Sequence, residues 1–247
     1  METKTFLAFV SATVMAVATS SAAIMVTNTS ANILEDIDNN GTFTSTNAAF
    51  TNWSLSGGNT VVVYFSGENT LGVTAKYGTE DLTIVESTGA NNDHVAAIGY
   101  IINPTASTAD LDVTWAAQGN SENMITALSL GGVGSVVASN TTNGNLSFNY
   151  TTTLDGGFVV GNATNNNFNG PSPTVTSSNL DTDAFNGTIS GNSSSIQTYG
   201  VIDTAGTYTD TYANSLVSSG VAFNPIPEPS AALLGALGFL ALLRRRR

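Results

Sequence analysis

The chain has 247 residues, enough for one domain with a sizeable core plus processing segments, and 41% of them are apolar. Charged residues make up only 10%, against roughly 25% in average usage, and acids outnumber bases 18 to 6. Between Lys4 and Arg244 the only basic side chain is Lys76, so no cluster can replace the counterions of a phosphate backbone, which excludes nucleic acid; the lack of cysteine excludes disulfides, zinc–thiolate sites and thiol catalysis.

In chain order, residues 1–23 read as a secretory signal peptide. Lys4 supplies the positive start, Phe6 to Ala18 the apolar stretch, and Ser21-Ala22-Ala23 a small-residue cleavage site, with removal expected after Ala23. "DIDNNG" follows at 36–41. Asp36, Asp38 and Asn40 occupy positions 1, 3 and 5 of a calcium-loop pattern, but position 12 is Asn47, where a bidentate acid is needed. They are a candidate for weak calcium binding, and an acidic β-turn explains the same letters. Trp53, among polar neighbours in "FTNWSLSGGN", is a candidate glycan contact.

From there the apolar pattern runs in twos or in short blocks, with no amphipathic helix. "TVVVYF" at 60–65 predicts a strand buried on both faces, or central in a sheet. Residues 72–87 predict a hairpin around a glycine turn, and "HVAAIGYII" from His94 a strand stopped by Asn103-Pro104. In "DLDVTW" Leu111, Val113 and Trp115 share one face, which places Trp115 in the core. Strands follow at "MITALSL", "LSFNY", "GFVVGN", "IQTYGVI", "TYTDTY" and "GVAFNP". The Asn-Gly pairs at 40–41, 143–144, 169–170 and 186–187 are natural turn formers. This predicts an all-β fold, an antiparallel β-sandwich of jelly-roll type over residues 24–224, with a parallel β-helix as the alternative.

An enzyme has little material here. His94 is the only histidine, no G-x-S-x-G motif is present, and the spacing of Glu68, Glu80, Glu86 and Glu122 selects no catalytic pair. The expectation is a protein that is not an enzyme and that needs no cofactor beyond the calcium candidate.

The chain closes with "NPIPEPSAALLGALGFLALLRRRR". Pro225, Pro227 and Pro229 keep the backbone extended; Ala231 to Leu243 is an unbroken apolar run that predicts a transmembrane helix; Arg244, Arg245, Arg246 and Arg247 form a cluster that stays cytoplasmic. Thirteen residues of helix reach only about 20 Å, short of a hydrocarbon core of about 30 Å. That suits a temporary anchor.

This tail resembles the PEP-CTERM sorting signal, with Pro227, Glu228 and Pro229 as the motif, then the apolar helix and the basic end, over residues 225–247. The resemblance implies recognition by exosortase, an integral-membrane protease, in a Gram-negative host that makes exopolysaccharide or biofilm matrix. The residue before the motif is Ile226, where the family usually has valine. The body resembles uncharacterised bacterial surface and phage-associated sandwich domains through "VTAKYG" at 73–78, "IGYIINPTASTADLDVTW" at 98–115 and "GVAFNP" at 220–225; that implies a fold and no activity. The expectation is therefore an exported protein, membrane-anchored through its tail until sorting, then at the cell surface or in the matrix. Its role there would be structural or adhesive, or, as the alternative, that of a carbohydrate-binding module on the exopolysaccharide. Its partners would be the general secretion machinery, exosortase and the exopolysaccharide.

Overall fold

The strands come in two kinds, and the difference decides where each one lies. The computed structural model describes residues 21–228 apart from 46, 90–93, 167–171, 178, 180–181 and 189–192. Chain order gives β1 (Met25–Thr29), β2 (Ile33–Ile37), β3 (Gly41–Thr44), β4 (Trp53–Ser54), β5 (Thr60–Glu68), β6 (Thr70–Tyr77), β7 (Glu80–Asp81) and β8 (Thr83–Thr88). Next are β9 (His94–Ile102), β10 (Thr108–Ala109), β11 (Leu111–Ala117), β12 (Ser121–Gly131), β13 (Val133–Thr142) and β14 (Leu146–Thr152). The last are β15 (Gly157–Asn166), β16 (Thr174–Thr176), β17 (Thr182–Thr188), β18 (Ser193–Ile202), β19 (Gly206–Ala213) and β20 (Val217–Pro225). Every pairing is antiparallel.

β5, β9, β12, β15, β18 and β20, which carry apolar or small uncharged polar residues at successive positions, are buried along most of their length and form two inner sheets. Strands that alternate, such as β6, β11, β14 and β19, bury every second residue and form two outer sheets. A strand packed on both faces needs side chains that can be buried at every position, and a strand with one wet face needs them at every other one. The first inner sheet runs β1-β12-β5-β9-β8, with β2 continuing the β1 edge along β12; the second runs β13-β20-β15-β18-β17. The outer sheets are β3-β11-β6-β7 and β14-β19-β16, and β4 pairs with β10 beside the first core.

The result is a stack of four β layers with three cores between them. Val61, Val63 and Phe65 of β5 meet Val113 and Trp115 of β11 in the first core, where the Phe65 and Trp115 rings lie 5.4 Å apart. Val62 and Tyr64, on the opposite face of β5, meet Phe158, Val160, Val221 and Phe223 in the second. Val159 and Ala222 turn the other way, toward Phe148, Tyr150 and Tyr212 in the third. Burying side chains of this size contributes roughly 1.5–3 kcal/mol each.

The two halves share one topology. In the first, the successive strands are the β1–β2 edge, β3, β5, β6, β7–β8, β9, β11 and β12; in the second they are β13 to β20. In each half the first, eighth, third, sixth and fifth strands make the inner sheet, and the second, seventh and fourth make the outer one. This is the double Greek key of a jelly roll, built twice and stacked through the larger sheets. The expected all-β sandwich is present, and four layers replace the two of a single sandwich.

Two local expectations need correction. The hairpin predicted over 72–87 begins at Gly78, which takes φ 61°, but only Glu80–Asp81 pairs with β6. β8 crosses to the inner sheet and pairs with β9, as the fifth strand of a jelly roll changes layers. Asn186-Gly187 is not a turn: both residues lie in β17, opposite Ile196 and Ser195. Asn169-Gly170 lies outside the described residues, as do residues 1–20 of the expected signal, Pro229, the apolar run and the arginine cluster. Among the described residues no helix is long and apolar enough to cross a membrane.

Candidate functional site

The start and the end of the folded body meet. β20 is flanked by β13 and β15, and its last residue, Pro225, is opposite Val133. Ile226 N–H donates to Gly132 O at 2.8 Å, and Pro227 then forms an isolated antiparallel bridge with Ser21. The Ser21 hydroxyl donates to the Asp155 carbonyl. Ile24 N–H donates to Gly156 O at 2.9 Å, and the Ile24 side chain is 1% exposed within the second core. Pro227 and Glu228 are exposed. The expected sorting motif thus begins without a linker, where a central strand ends.

A second polar feature lies between the two jelly rolls, at the end of the second core. Ser66 Oγ donates to Asn162 Oδ1 at 2.8 Å, and lies 2.7 Å from Ser195 Oγ. Asn162 Nδ2 donates to the carbonyls of Phe65 at 2.8 Å and Ala97 at 3.1 Å. Tyr64 Oη donates to Thr198 O at 2.8 Å, and burial raises its phenol well above the usual range, so it stays a neutral donor. These bonds tie the first jelly roll to the second where apolar contact stops.

At the rim of this seam sits His94, which opens β9 and is 1% exposed and hydrogen-bonded. Ser193 Oγ donates to Glu68 Oε2 at 2.6 Å and lies 3.2 Å from His94 Nε2. A hydroxyl has one proton, here committed to Glu68, so the imidazole Nε2 carries its own proton and donates to Ser193. Glu68 and His94 face each other across the β5–β9 ladder and Ser193 contacts both, which makes a strut from β5 and β9 to β18. It was not legible from spacing, because it joins residues about a hundred positions apart; the signal was polar letters interrupting apolar runs, Ser66 after "TVVVYF" and Asn162 after "GFVVG".

The sequence-predicted ligands do not converge. Asp36 lies inside extended β2, opposite Glu122 on β12, with Asp38 and Asn40 exposed in the bend before β3. A calcium loop must curl from its first position, and a paired strand holds that position straight. Burial first, and then the negative charges of Glu68, Asp36 and Asp38, push the Glu122 carboxyl above its usual range. Among the described residues no three His, Asp or Glu side chains are placed to hold a metal ion.

Trp53 is 5% exposed in the first core, and its Nε1–H donates to Ser129 Oγ at 2.9 Å. Its polar neighbours in sequence belong to the bend around it, and its ring has no face left for a sugar. Asp110 and Asp112 line an open depression of about 240 Å³ with Thr44, Ser45, Asn47 and Phe50; Asp110 Oδ1 accepts the Asn52 N–H at 2.8 Å, which fixes the bend that buries Trp53.

One acid is placed where no sequence pattern pointed. Asp210 on β19 faces the third core opposite Phe148 and is fully buried. Ser177 donates to Oδ1, and the Tyr150 phenol shares a hydrogen bond with the carboxyl. Burial raises the Asp210 carboxyl above its ordinary range; burial and the Asp210 charge together raise the Tyr150 phenol.

No family model, no curated protein and no solved structure matches this chain.

Proposed function

We propose that this chain is an exported envelope protein whose C-terminal tail is read by exosortase and whose double jelly roll then serves a structural or adhesive role at the cell surface or in the exopolysaccharide matrix. The observation that carries the reading is the tail itself: Pro227-Glu228-Pro229, an apolar run too short for a lasting anchor, and four terminal arginines, in that order. Its position supports it. Pro227 and Glu228 are exposed directly after the last strand, and no strand of the body extends past Pro225, so cutting there leaves every ladder intact. A body stabilised by three apolar cores and surfaced by hydroxyls and amides suits a hydrated polymer matrix. The carbohydrate-binding alternative loses its aromatic contact with the burial of Trp53, and would rest on polar contacts alone.

The test is the mass of the surface-released protein from an exosortase-positive host and from the same host lacking the protease. Loss of the segment containing Arg244–Arg247 in the first and its retention in the second are expected. An intact arginine end in the exosortase-positive cell would overturn the reading.

A further inference from the structure

We propose that the export leader is cut between Ala18 and Thr19, so that Ser21, Ala22 and Ala23 belong to the mature fold. This rests on reading the N-terminus as a leader, but not on the sorting of the tail. Several positions in the sequence satisfy the small-residue rule for the cut: Ser21-Ala22-Ala23, Ser20-Ser21-Ala22, Ala18-Thr19-Ser20 and, furthest upstream, Ala16-Val17-Ala18, which alone has alanine at both required positions. The last leaves Phe6 to Met15 as the apolar stretch behind Lys4, which falls within the usual length of about 7–15 residues. Sequence alone does not choose among them. The contacts of residues 21–24 do.

Each of these residues has a place in the body. Ser21 bridges Pro227 and hydrogen-bonds the Asp155 carbonyl. Ala23 lies against Gly156, which takes φ +77°; a Cβ at Gly156 would stand 2.5 Å from Ala23 Cα and 3.0 Å from its Cβ. The backbone of Ala23 therefore fills the space that a side chain at 156 would need. A Cβ placed on Gly132, at φ +83°, would meet the carbonyl oxygens of Ala23 at 3.6 Å and Ala22 at 4.0 Å, an ordinary contact distance. A leader that is discarded has no need of such a fitted slot.

The chemistry of the new terminus points the same way. A cut after Ala23 turns the Ile24 amide into an ammonium ion. That amide is bonded to Gly156 O, and it belongs to a residue whose side chain is buried in the second core. Moving a charge to such a position costs several times what a neutral amide does. It would also empty the slot at Gly156 and leave Pro227 without its partner. A cut after Ala18 places the ammonium two residues before Ser21 and keeps all these contacts.

The experiment is N-terminal sequencing of the mature protein exported by a Gram-negative host from the full-length gene, together with Ala18→Leu and Ala23→Leu. A mature chain starting at Thr19 is expected. Ala18→Leu should abolish that start, because a bulky residue before the scissile bond violates the small-residue rule, and Ala23→Leu should leave it unchanged. A start at Ser21, Ala23 or Ile24, or loss of processing in Ala23→Leu alone, overturns the proposal. A start at Met1 overturns the leader reading beneath it, and the fate of Arg244–Arg247 then still tests the sorting of the tail separately.

Discussion

Tyr212 lays its phenol directly over Gly161, leaving no room for a side chain there. A Cβ on Gly161 would stand 1.4 Å from the Tyr212 oxygen and 2.3 Å from the carbon that bears it, while that oxygen is 3.2 Å from Thr198 Oγ1. The contact locks β15 of an inner sheet against β19 of the outer one. Gly161→Ala should destabilise the protein by about 3 kcal/mol, at or above the upper end of ordinary overpacking, because the obstacle is a buried ring with fixed neighbours. The midpoint of urea denaturation checks this, and Gly72→Ala, where a Cβ meets open space at φ +58°, is the control for backbone strain alone.

Asp210 sets a pH dependence with a definite sign. Its folded pKa is raised by burial, so the native state binds its proton more tightly than the unfolded chain does. Its destabilising effect is absent below the unfolded value of about 3.9 and grows as pH rises through the folded value. Asp210→Asn removes that ionisation while keeping the shape. The variant should gain on the native protein in thermal melts as pH rises from about 4 to 7, with the smallest difference at the acid end. A constant difference across that range would refute the assignment.

Asn162 holds the two jelly rolls together through groups that have no access to water. Asn162→Ala removes the acceptor of Ser66 Oγ–H, which keeps only its contact with Ser195, and the side-chain donor to the carbonyls of Phe65 and Ala97 on the facing sheet. Each buried group left without its partner costs about 1–3 kcal/mol. We expect a lower denaturation midpoint within one cooperative transition, since both halves share the second core. Two resolved transitions in the native protein would contradict a shared core.

Trp53→Ala separates packing from recognition. Truncating this buried ring should cost about 3–5 kcal/mol, read as a fall in melting temperature. Where the variant is still folded, its retention on immobilised exopolysaccharide should equal that of the native protein. Reduced retention at a temperature where circular dichroism is unchanged would return Trp53 to the list of ligand contacts.

Much of the fold can be read from the spacing of apolar letters. "TVVVYF" at 60–65 belongs to an inner layer because its odd-numbered residues serve the first core and Val62 and Tyr64 the second. "DLDVTW" belongs to an outer layer because Leu111, Val113 and Trp115 have one core and Asp112 has water. The duplication escaped because it is carried by pairing and not by letters. Tyr100 and Tyr199 hold the same position, opposite Val62 and Val160, yet the strands around them share little else. The burial of Trp53 escaped for a different reason. Its immediate neighbours are polar because they form a bend, and the residues that hold it, Ser129 at the indole N–H and Tyr77 at the backbone carbonyl, come from other strands. His94 opens β9 as its spacing predicts, and its burial comes from the second sandwich, which covers the strand's first residue.

The pairing of Ser21 with Pro227 has a mechanical consequence. Tension applied to a chain whose ends are far apart runs through every strand between them. Here Ser21 and Pro227 lie side by side, so a pull on either one is met first by the contacts at that corner. The body is then a pendant and not a link in series. A polymer network could load it only through its flanks, where the outer sheets face water.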